Sequence, residues 1–219
     1  MLYLFDIDGT LVDTGGAGMA ALNEATCEIF GTEGPPLDLA GSTDLRIIES
    51  IHTYFQVEAT RERFDAYVEV YLGRLDWNLG HGGFPGRVHP GVAELLAGLT
   101  AHPEATVGLL TGNTSGGAAA KMRHFGLARH FPFGAYGCDD ADRNRLGPIA
   151  LARAAAHAGK PFSPADTWVI GDTPKDIACA HAMGARCLAV ATGQFTVSQL
   201  AAYGADQVVE TLDQPIAWL

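Results

Sequence analysis

The sequence lacks the features that identify several large classes of protein. Its 219 residues include 14 Lys and Arg against 25 Asp and Glu, a formal net charge of −11 at pH 7, and the basic residues form no cluster. Nucleic acids and anionic membranes are bound through basic surfaces, so we expect neither as a partner. No apolar run reaches the roughly 20 residues that a membrane-spanning helix needs.

Cysteine is scarce, and a secretion signal is missing. The four Cys residues fall at no spacing typical of a zinc site. The apolar run at the N-terminus has no basic region before it and is interrupted by Asp6, unlike the apolar run of a signal peptide. We therefore predict a cytoplasmic protein whose thiols are reduced and mostly packed in apolar surroundings.

What the sequence does contain is typical of a globular α/β protein. The apolar fraction is 47%, and the mean hydropathy is +0.10. Short β-rich segments alternate with helical patterns, which predicts a doubly wound, Rossmann-like parallel sheet flanked by helices. We expect its strands at residues 2–5, 106–110, 133–136, 167–170, 187–191 and 207–209.

Helices are expected between these strands. One begins after Pro90, one is capped by Ser115, one runs from Pro174 to Gly184, and one is capped by Thr196.

The stretch from residue 16 to residue 87 has a different character. It contains no convincing strand and three helical patterns, the first of which places Met19, Leu22, Ile29 and Phe30 on one face. A crossover between parallel strands needs only about a dozen residues. We therefore predict that residues 16–87 form an inserted helical cap and that residues 1–15 and 88–219 form the α/β core.

Two carboxylates follow the first predicted strand directly. Asp6 and Asp8 come after an apolar run and are followed by Gly9 and Thr10. Ionised and unpaired, such carboxylates oppose burial and disfavour each other. A bound Mg²⁺ resolves this conflict because hard cations prefer oxygen ligands. The alternative is a strand that simply ends in an acidic turn.

Polar residues also follow two other predicted strands. Thr111-Gly112-Asn113 comes after the second strand and supplies a hydroxyl, a glycine N–H and an amide that can hold a phosphoryl oxygen. Asp172 leaves the fourth strand, and Asp176 follows about one helical turn later. Taken alone, the Thr-Gly-Asn segment is a common turn, and the pair of aspartates is a helix cap followed by a surface acid. The carboxyl ends of parallel strands face ligands, so together they predict one site.

These three motifs resemble the first, second and fourth signatures of the haloacid dehalogenase-like hydrolases, in the same order and across nearly the whole chain. The helical insertion is similar to the first cap type of that family, as in its phosphoglycolate phosphatase-like members. The resemblance implies a phosphatase that works through an aspartyl-phosphate intermediate.

The resemblance also implies roles for individual residues. Asp6 is expected to be the nucleophile, and Asp8 the general acid and base. Thr10, Thr111, Gly112 and Asn113 are expected to bind the phosphoryl group. Mg²⁺ is expected to be held by the side chains of Asp6 and Asp172 and the backbone carbonyl of Asp8, with support from Asp176.

The third signature of the family departs from its usual pattern. A lysine is expected ahead of the fourth motif, but this part of the chain offers Arg143 and Arg145 instead. Arginine can bind phosphate bidentately but differs from lysine in geometry. Alignment on the Pro148 helix start favours Arg143 at the phosphate-binding position, and Arg145 is the alternative. The remaining interpretation is a solvated loop cation with no role at the site.

Between two cap helices, the loop Ala40-Gly41-Ser42-Thr43-Asp44 has two interpretations. By resemblance, Thr43 and Asp44 face the active site and help select the substrate. Alternatively, one of them only caps the following helix.

The sequence thus predicts a Mg²⁺-dependent phosphomonoesterase that acts on a small, phosphoglycolate-like phosphorylated metabolite, as a monomer or homodimer. Asp8 argues against the metal-free dehalogenase branch, and the lack of lysine between residues 14 and 87 argues against imine-forming phosphonate cleavage. A phosphomutase on the same core and a non-catalytic phosphate-binding regulatory protein remain as alternatives.

Overall fold

The computed structural model describes residues 1–216, which form eight strands and eight α-helices. The strands are β1 (Leu2–Phe5), β2 (Val12–Asp13), β3 (Arg87–Val88), β4 (Thr106–Leu110), β5 (Gly134–Ala135), β6 (Thr167–Gly171), β7 (Arg186–Val190) and β8 (Gln207–Val209). The helices are α1 (Ala17–Phe30), α2 (Asp44–Tyr54), α3 (Arg61–His81), α4 (Val92–Ala101), α5 (Ser115–His124), α6 (Leu146–Ala158), α7 (Pro174–Met183) and α8 (Val197–Ala202).

Six of the strands form one parallel sheet in the order β5-β4-β1-β6-β7-β8. The order reverses direction at β1, so the predicted doubly wound fold is confirmed. The predicted strand positions are confirmed to within one or two residues at their ends. No helix of residues 1–216 has the length and apolar character needed to cross a membrane.

Side chains of β1 alternate between the two faces of the sheet, as expected for a strand. Tyr3 and Phe5 pack into an apolar cluster with residues of α4 and α5, whereas Leu2 and Leu4 pack into another with residues of α6 and α7. Both faces are therefore covered by helices. This explains why β1 is a continuous apolar run that ends where the polar residues begin.

Two local features differ from the expectations. Strands β2 and β3 form a small antiparallel pair that was not predicted, because two residues carry no periodic pattern. Ser115 does not cap α5. The cap is Thr114, whose Oγ1 accepts a hydrogen bond from Gly117 N at 3.1 Å, and Ser115 is the first helical residue.

Helices α1, α2 and α3 all lie between β2 and β3 along the chain and share an apolar cluster, which Ala120 of α5 joins. On α1, the predicted apolar face is partly wrong, because Met19 and Ile29 are more than one-third exposed. Alanines contribute to the buried face instead and allow α1 to pack closely on α3. The division into a core and an inserted cap stays a prediction, and the last three residues of the core range lie outside the described residues.

Candidate active site

The predicted polar residues meet at the carboxyl edge of the sheet. Asp6 follows β1, Thr111 follows β4 and Asp172 follows β6, and β1 lies between β4 and β6. All three residues are at least 95% buried. The sheet thereby brings Thr111 and Asp172 next to Asp6, although they lie 105 and 166 positions further along the chain.

Three carboxylates form the centre of this site. One oxygen from each of Asp6, Asp172 and Asp176 lies within 4.8 Å of the others. Asp176 is fixed because its Oδ2 accepts hydrogen bonds from Thr173 N at 3.0 Å and Thr173 Oγ1 at 2.7 Å. Gly193 allows the chain to approach closely, since a Cβ at that position would overlap Asp172 Oδ2.

Arg143 is the buried cation of this centre. Its Nη2 lies 3.1 Å from Asp6 Oδ2 and 2.5 Å from Asp176 Oδ1, and its side chain is only 6% exposed. Arg145 is 72% exposed and lies beside Asp140 and Asp142 on the surface. Of the two arginines that the sequence left open, the structure thus brings only Arg143 to the carboxylates.

Burial and neighbouring charges change how these groups titrate. Burial raises the pKa of Asp6 to about 6, although Arg143 opposes the shift. Burial, together with the negative charges of Asp176 and Asp6, raises the pKa of Asp172 to about 8. Burial would lower the pKa of Arg143, but the carboxylates of Asp176 and Asp6 outweigh it and raise that pKa. The centre is thus short of positive charge.

The chemistry of this donor set fits a divalent cation. Within residues 1–216, three buried carboxylates face one buried guanidinium, which leaves up to two negative charges uncompensated. An all-oxygen set of this kind suits Mg²⁺. The side chain of Asp8 is not part of this group.

Asp8 makes a different set of contacts. Lys121 Nζ donates to Asp8 Oδ1 at 2.8 Å and to Oδ2 at 2.6 Å, and Asn113 Nδ2 donates to Oδ2 at 2.8 Å. Lys121 also donates to Asn113 Oδ1 at 2.6 Å. Sequence analysis missed Lys121 because a lysine in an amphipathic helix is usually solvated; no local signal marks it as buried.

The Thr111-Gly112-Asn113 turn connects the two sets of contacts. The hydroxyl of Thr111 bonds the Asp6 carboxylate and accepts from Asn113 Nδ2 at 2.9 Å. Gly112 and Asn113 line the cavity described below. Thr10 lies elsewhere: its buried hydroxyl donates to Asp172 Oδ1 at 3.2 Å, and it does not line that cavity. The contacts of Thr10 thus support Asp172 rather than a ligand.

The loop before α2 is seated on this turn. Asp44 N donates to Gly112 O at 2.7 Å, and Arg143 Nη1 donates to Gly41 O at 3.2 Å. Thr43 caps α2 and donates to Ala141 O, so its hydroxyl is used within the fold and does not line the cavity. Asp44 lines the cavity, and its Oδ2 accepts from Thr114 N at 2.6 Å.

A cavity of about 340 Å³ lies between this loop, α1, α3 and the edge of the sheet. Asp6, Asp8 and Asp172 line one end, together with Lys121 and Arg143. The rest of its wall is mainly apolar. The arrangement can hold an anionic group beside Asp6 and enclose the molecule attached to it.

The chain is similar to known proteins over most of its length. A model of the haloacid dehalogenase-like hydrolase family matches residues 3–190. A protein named "Probable phosphatase IndB" from Dickeya dadantii is 26% identical over 219 residues, which cover 98% of this chain and 91% of that protein. A phosphoglycolate phosphatase from Pseudomonas fluorescens is 24% identical over 208 residues, covering 88% and 70% of the two chains.

Among solved structures, CbbY from Rhodobacter sphaeroides in complex with phosphate has the same fold. It superimposes with a TM-score of 0.75 at 20% identity, over 96% of this chain and 94% of the other.

Proposed function

The chain belongs to the haloacid dehalogenase-like hydrolases, and on that premise we propose that it is a Mg²⁺-dependent phosphomonoesterase that forms an aspartyl-phosphate on Asp6. The observation that carries the proposal is the position of Asp6. Its buried carboxylate lies at the end of β1, beside Arg143 and Asp172, and faces a cavity large enough for a small metabolite. The names of the two phosphatase relatives support the same reaction class.

In the first step, an oxygen of Asp6 attacks phosphorus, and the bond between phosphorus and the ester oxygen breaks. Asp8 gives a proton to the departing alcohol. In the second step, water attacks the phosphorus of the aspartyl-phosphate, Asp8 takes its proton, and the carboxylate of Asp6 is released with inorganic phosphate. Dividing the displacement in this way lowers each barrier.

Other residues hold the phosphoryl group and the nucleophile. Thr111 orients Asp6 through its hydroxyl, and Gly112, which lines the cavity, offers its backbone N–H to a phosphoryl oxygen. Arg143 keeps a positive charge next to Asp6, where the third signature of the family normally has lysine. Thr10 acts through Asp172 in this proposal rather than on phosphate directly.

We propose that Asp6 and Asp172 hold Mg²⁺ together with the backbone carbonyl of Asp8, and that Asp176 supports the site. When bound, the ion would offset the repulsion between these carboxylates and a phosphate dianion. We also propose that residues 16–87 act as a cap, whose closing excludes water from the cavity. A cytoplasmic location and a monomeric or homodimeric state stay predictions.

The test is release of inorganic phosphate from a panel of phosphorylated metabolites, including phosphoglycolate, sugar phosphates and nucleotides. We expect release with Mg²⁺, none with a chelator, and none from Asp6→Asn. Asp13→Asn is the matched control, because Asp13 lies on β2 and pairs with Arg87 at 3.2 Å. Isomerisation of a sugar phosphate without phosphate release would instead identify a mutase, and complete inactivity would favour a binding protein.

A further inference from the structure

We propose that the alcohol released by this enzyme is uncharged and largely apolar where it meets the cap. The inference rests on the proposed phosphatase function and concerns the half of the substrate that is not phosphate. It comes from the side chains that line the cavity beyond the reacting carboxylates.

The cap side of the cavity is built mainly from large apolar side chains. They come from α1, the loop before α2, α2 itself and α3, and they are Met19, Leu22, Leu39, Ile47 and Tyr71. Burying apolar surface against such a wall favours binding. A charged group placed against these side chains would lose hydration without gaining an oppositely charged partner.

Both basic side chains that line the cavity are already committed. Among residues 1–216, these are Lys121 and Arg143. The three N–H groups of Lys121 bond the two oxygens of Asp8 and Asn113 Oδ1. Arg143 contacts Asp6 and Asp176 and donates to the Gly41 carbonyl. The Nε of Arg143 has no hydrogen-bond partner among the described residues but is buried, and the charge of Arg143 already faces two carboxylates. Neither cation therefore neutralises a second anionic group on the substrate.

The cap also contributes a charged group to the cavity, but that group is a carboxylate and would repel an anion. Asp44 lines the cavity as the first residue of α2. It would repel a carboxylate or a second phosphate on the alcohol. Asp44 does not make a binding site for an ammonium either, because Thr114 N occupies its Oδ2 and Lys121 lies near enough to oppose the rise in its pKa.

The wall therefore favours a neutral alcohol over an anionic or a cationic one. This places phosphoglycolate, whose alcohol carries a carboxylate, among the poor substrates. Esters of uncharged alcohols are expected to be the good ones.

The test compares substrates that are matched in shape and differ in charge. One pair is phosphoglycolate and its amide. A second set is the phenyl phosphates that carry carbamoyl, carboxylate or aminomethyl at the 4-position. With Mg²⁺, we expect kcat/KM for each neutral compound to exceed that of its anionic match by about tenfold or more, and the aminomethyl compound to be slower than the carbamoyl one.

A substitution on the wall links this preference to the cavity. Met19→Lys adds an ammonium to the wall at a position that is already 37% exposed and so tolerates a lysine. We expect Met19→Lys to lower the ratio of kcat/KM for the neutral substrate to kcat/KM for its anionic match by about fivefold or more. Ile29→Lys is the matched control, because Ile29 lies on the same helix with 39% exposure and does not line the cavity.

The outcomes separate this inference from the proposed function. Hydrolysis of the anionic compounds as fast as the neutral ones, or fastest hydrolysis of the aminomethyl compound, would overturn the inference and leave the phosphatase intact. An unchanged ratio in Met19→Lys would overturn the assignment of this wall to the alcohol. No hydrolysis of any compound would overturn the phosphatase and the inference together.

Discussion

The ammonium of Lys121 lies 2.8 and 2.6 Å from the two carboxylate oxygens of Asp8. The two residues are 113 positions apart in the chain, and Lys121 is 4% exposed. Asn113 completes the arrangement by bonding both groups. The orientation of Asp8, which follows β1, is thus fixed by a lysine and an amide that both come after β4 in the chain.

We expect Lys121→Met to lower kcat/KM for phosphate release by about 10- to 100-fold, because Asp8 loses the two charge-assisted hydrogen bonds that orient it. This range corresponds to a barrier that is higher by about 1.4–2.7 kcal/mol. Steady-state kinetics with Mg²⁺ would measure this fall in kcat/KM. Arg123→Met is the control: it lies two residues later on α5 with 63% exposure, and only a weak contact with Asp76 is lost. Equal kinetics for the two variants would contradict the role given to Lys121.

The pair Arg143 and Arg145 gives a prediction about stability. Arg143→Met leaves Asp6 and Asp176 without their buried partner, so we expect the free energy of unfolding to fall by about 3–5 kcal/mol. Arg145→Met removes an exposed side chain and should change the free energy of unfolding by no more than about 0.5 kcal/mol. Urea unfolding at pH 8 with a chelator compares them. Similar losses in both variants would show that the burial of Arg143 has no energetic consequence.

The sequence predicted the centre of the site because each part of it is local. The end of β1 with Asp6, the turn at Thr111 and the end of β6 with Asp172 are each an apolar run followed by polar residues. The parallel sheet then places the three ends together, and this much follows from the fold class.

The rest of the site depends on contacts between distant parts of the chain. Nothing in the pattern of α5 shows that Lys121 is buried, since its partners come from two other strand ends. Thr10 follows Asp8 closely, yet its hydroxyl is taken by Asp172, 162 residues away. The choice between Arg143 and Arg145 likewise required the position of α7, which carries Asp176.

Asp44 gives a prediction about pH. Burial raises its pKa from 3.8 to about 6, although Lys121 opposes the shift. The folded protein then binds this proton more tightly than the unfolded chain, so Asp44 contributes stability at low pH that is lost as the pH rises through about 6. We expect the free energy of unfolding, measured with urea, to fall between about pH 4 and pH 7 in the wild type and to fall less in Asp44→Asn. The difference between the two falls should be up to about 3 kcal/mol.

Asp76→Asn is the control for this experiment, because Asp76 has 66% side-chain exposure and only a long contact with Arg123. Its pH dependence should follow the wild type. A pH dependence of Asp44→Asn that also follows the wild type would contradict the prediction.

Metal binding is tested on Asp172 without reference to activity. Burial and the charges of Asp176 and Asp6 raise its pKa to about 8, so Asp172→Asn should be at least as stable as the wild type at pH 8 with a chelator. Mg²⁺ at about 100 times its Kd should stabilise the wild type by about 2.7 kcal/mol and the variant much less. Urea unfolding with and without MgCl₂ measures both effects. Asp166→Asn, at an exposed position, should respond to Mg²⁺ like the wild type; equal stabilisation of Asp172→Asn would exclude Asp172 as a ligand.

The contact between Gly112 and the loop before α2 gives the last prediction. A Cβ at residue 112 would overlap the Ser42 carbonyl oxygen, so Gly112→Ala must displace the loop and break the 2.7 Å hydrogen bond from Asp44 N to Gly112 O. We expect faster amide hydrogen exchange at Asp44 and a fall of about 10²-fold in kcat/KM, because small displacements at a reacting centre have effects of that size. Gly98→Ala on α4 is the control: its Cβ meets nothing within 4 Å, and alanine should stabilise the helix by up to about 1 kcal/mol. Unchanged exchange at Asp44 in Gly112→Ala would mean that the loop does not depend on this contact.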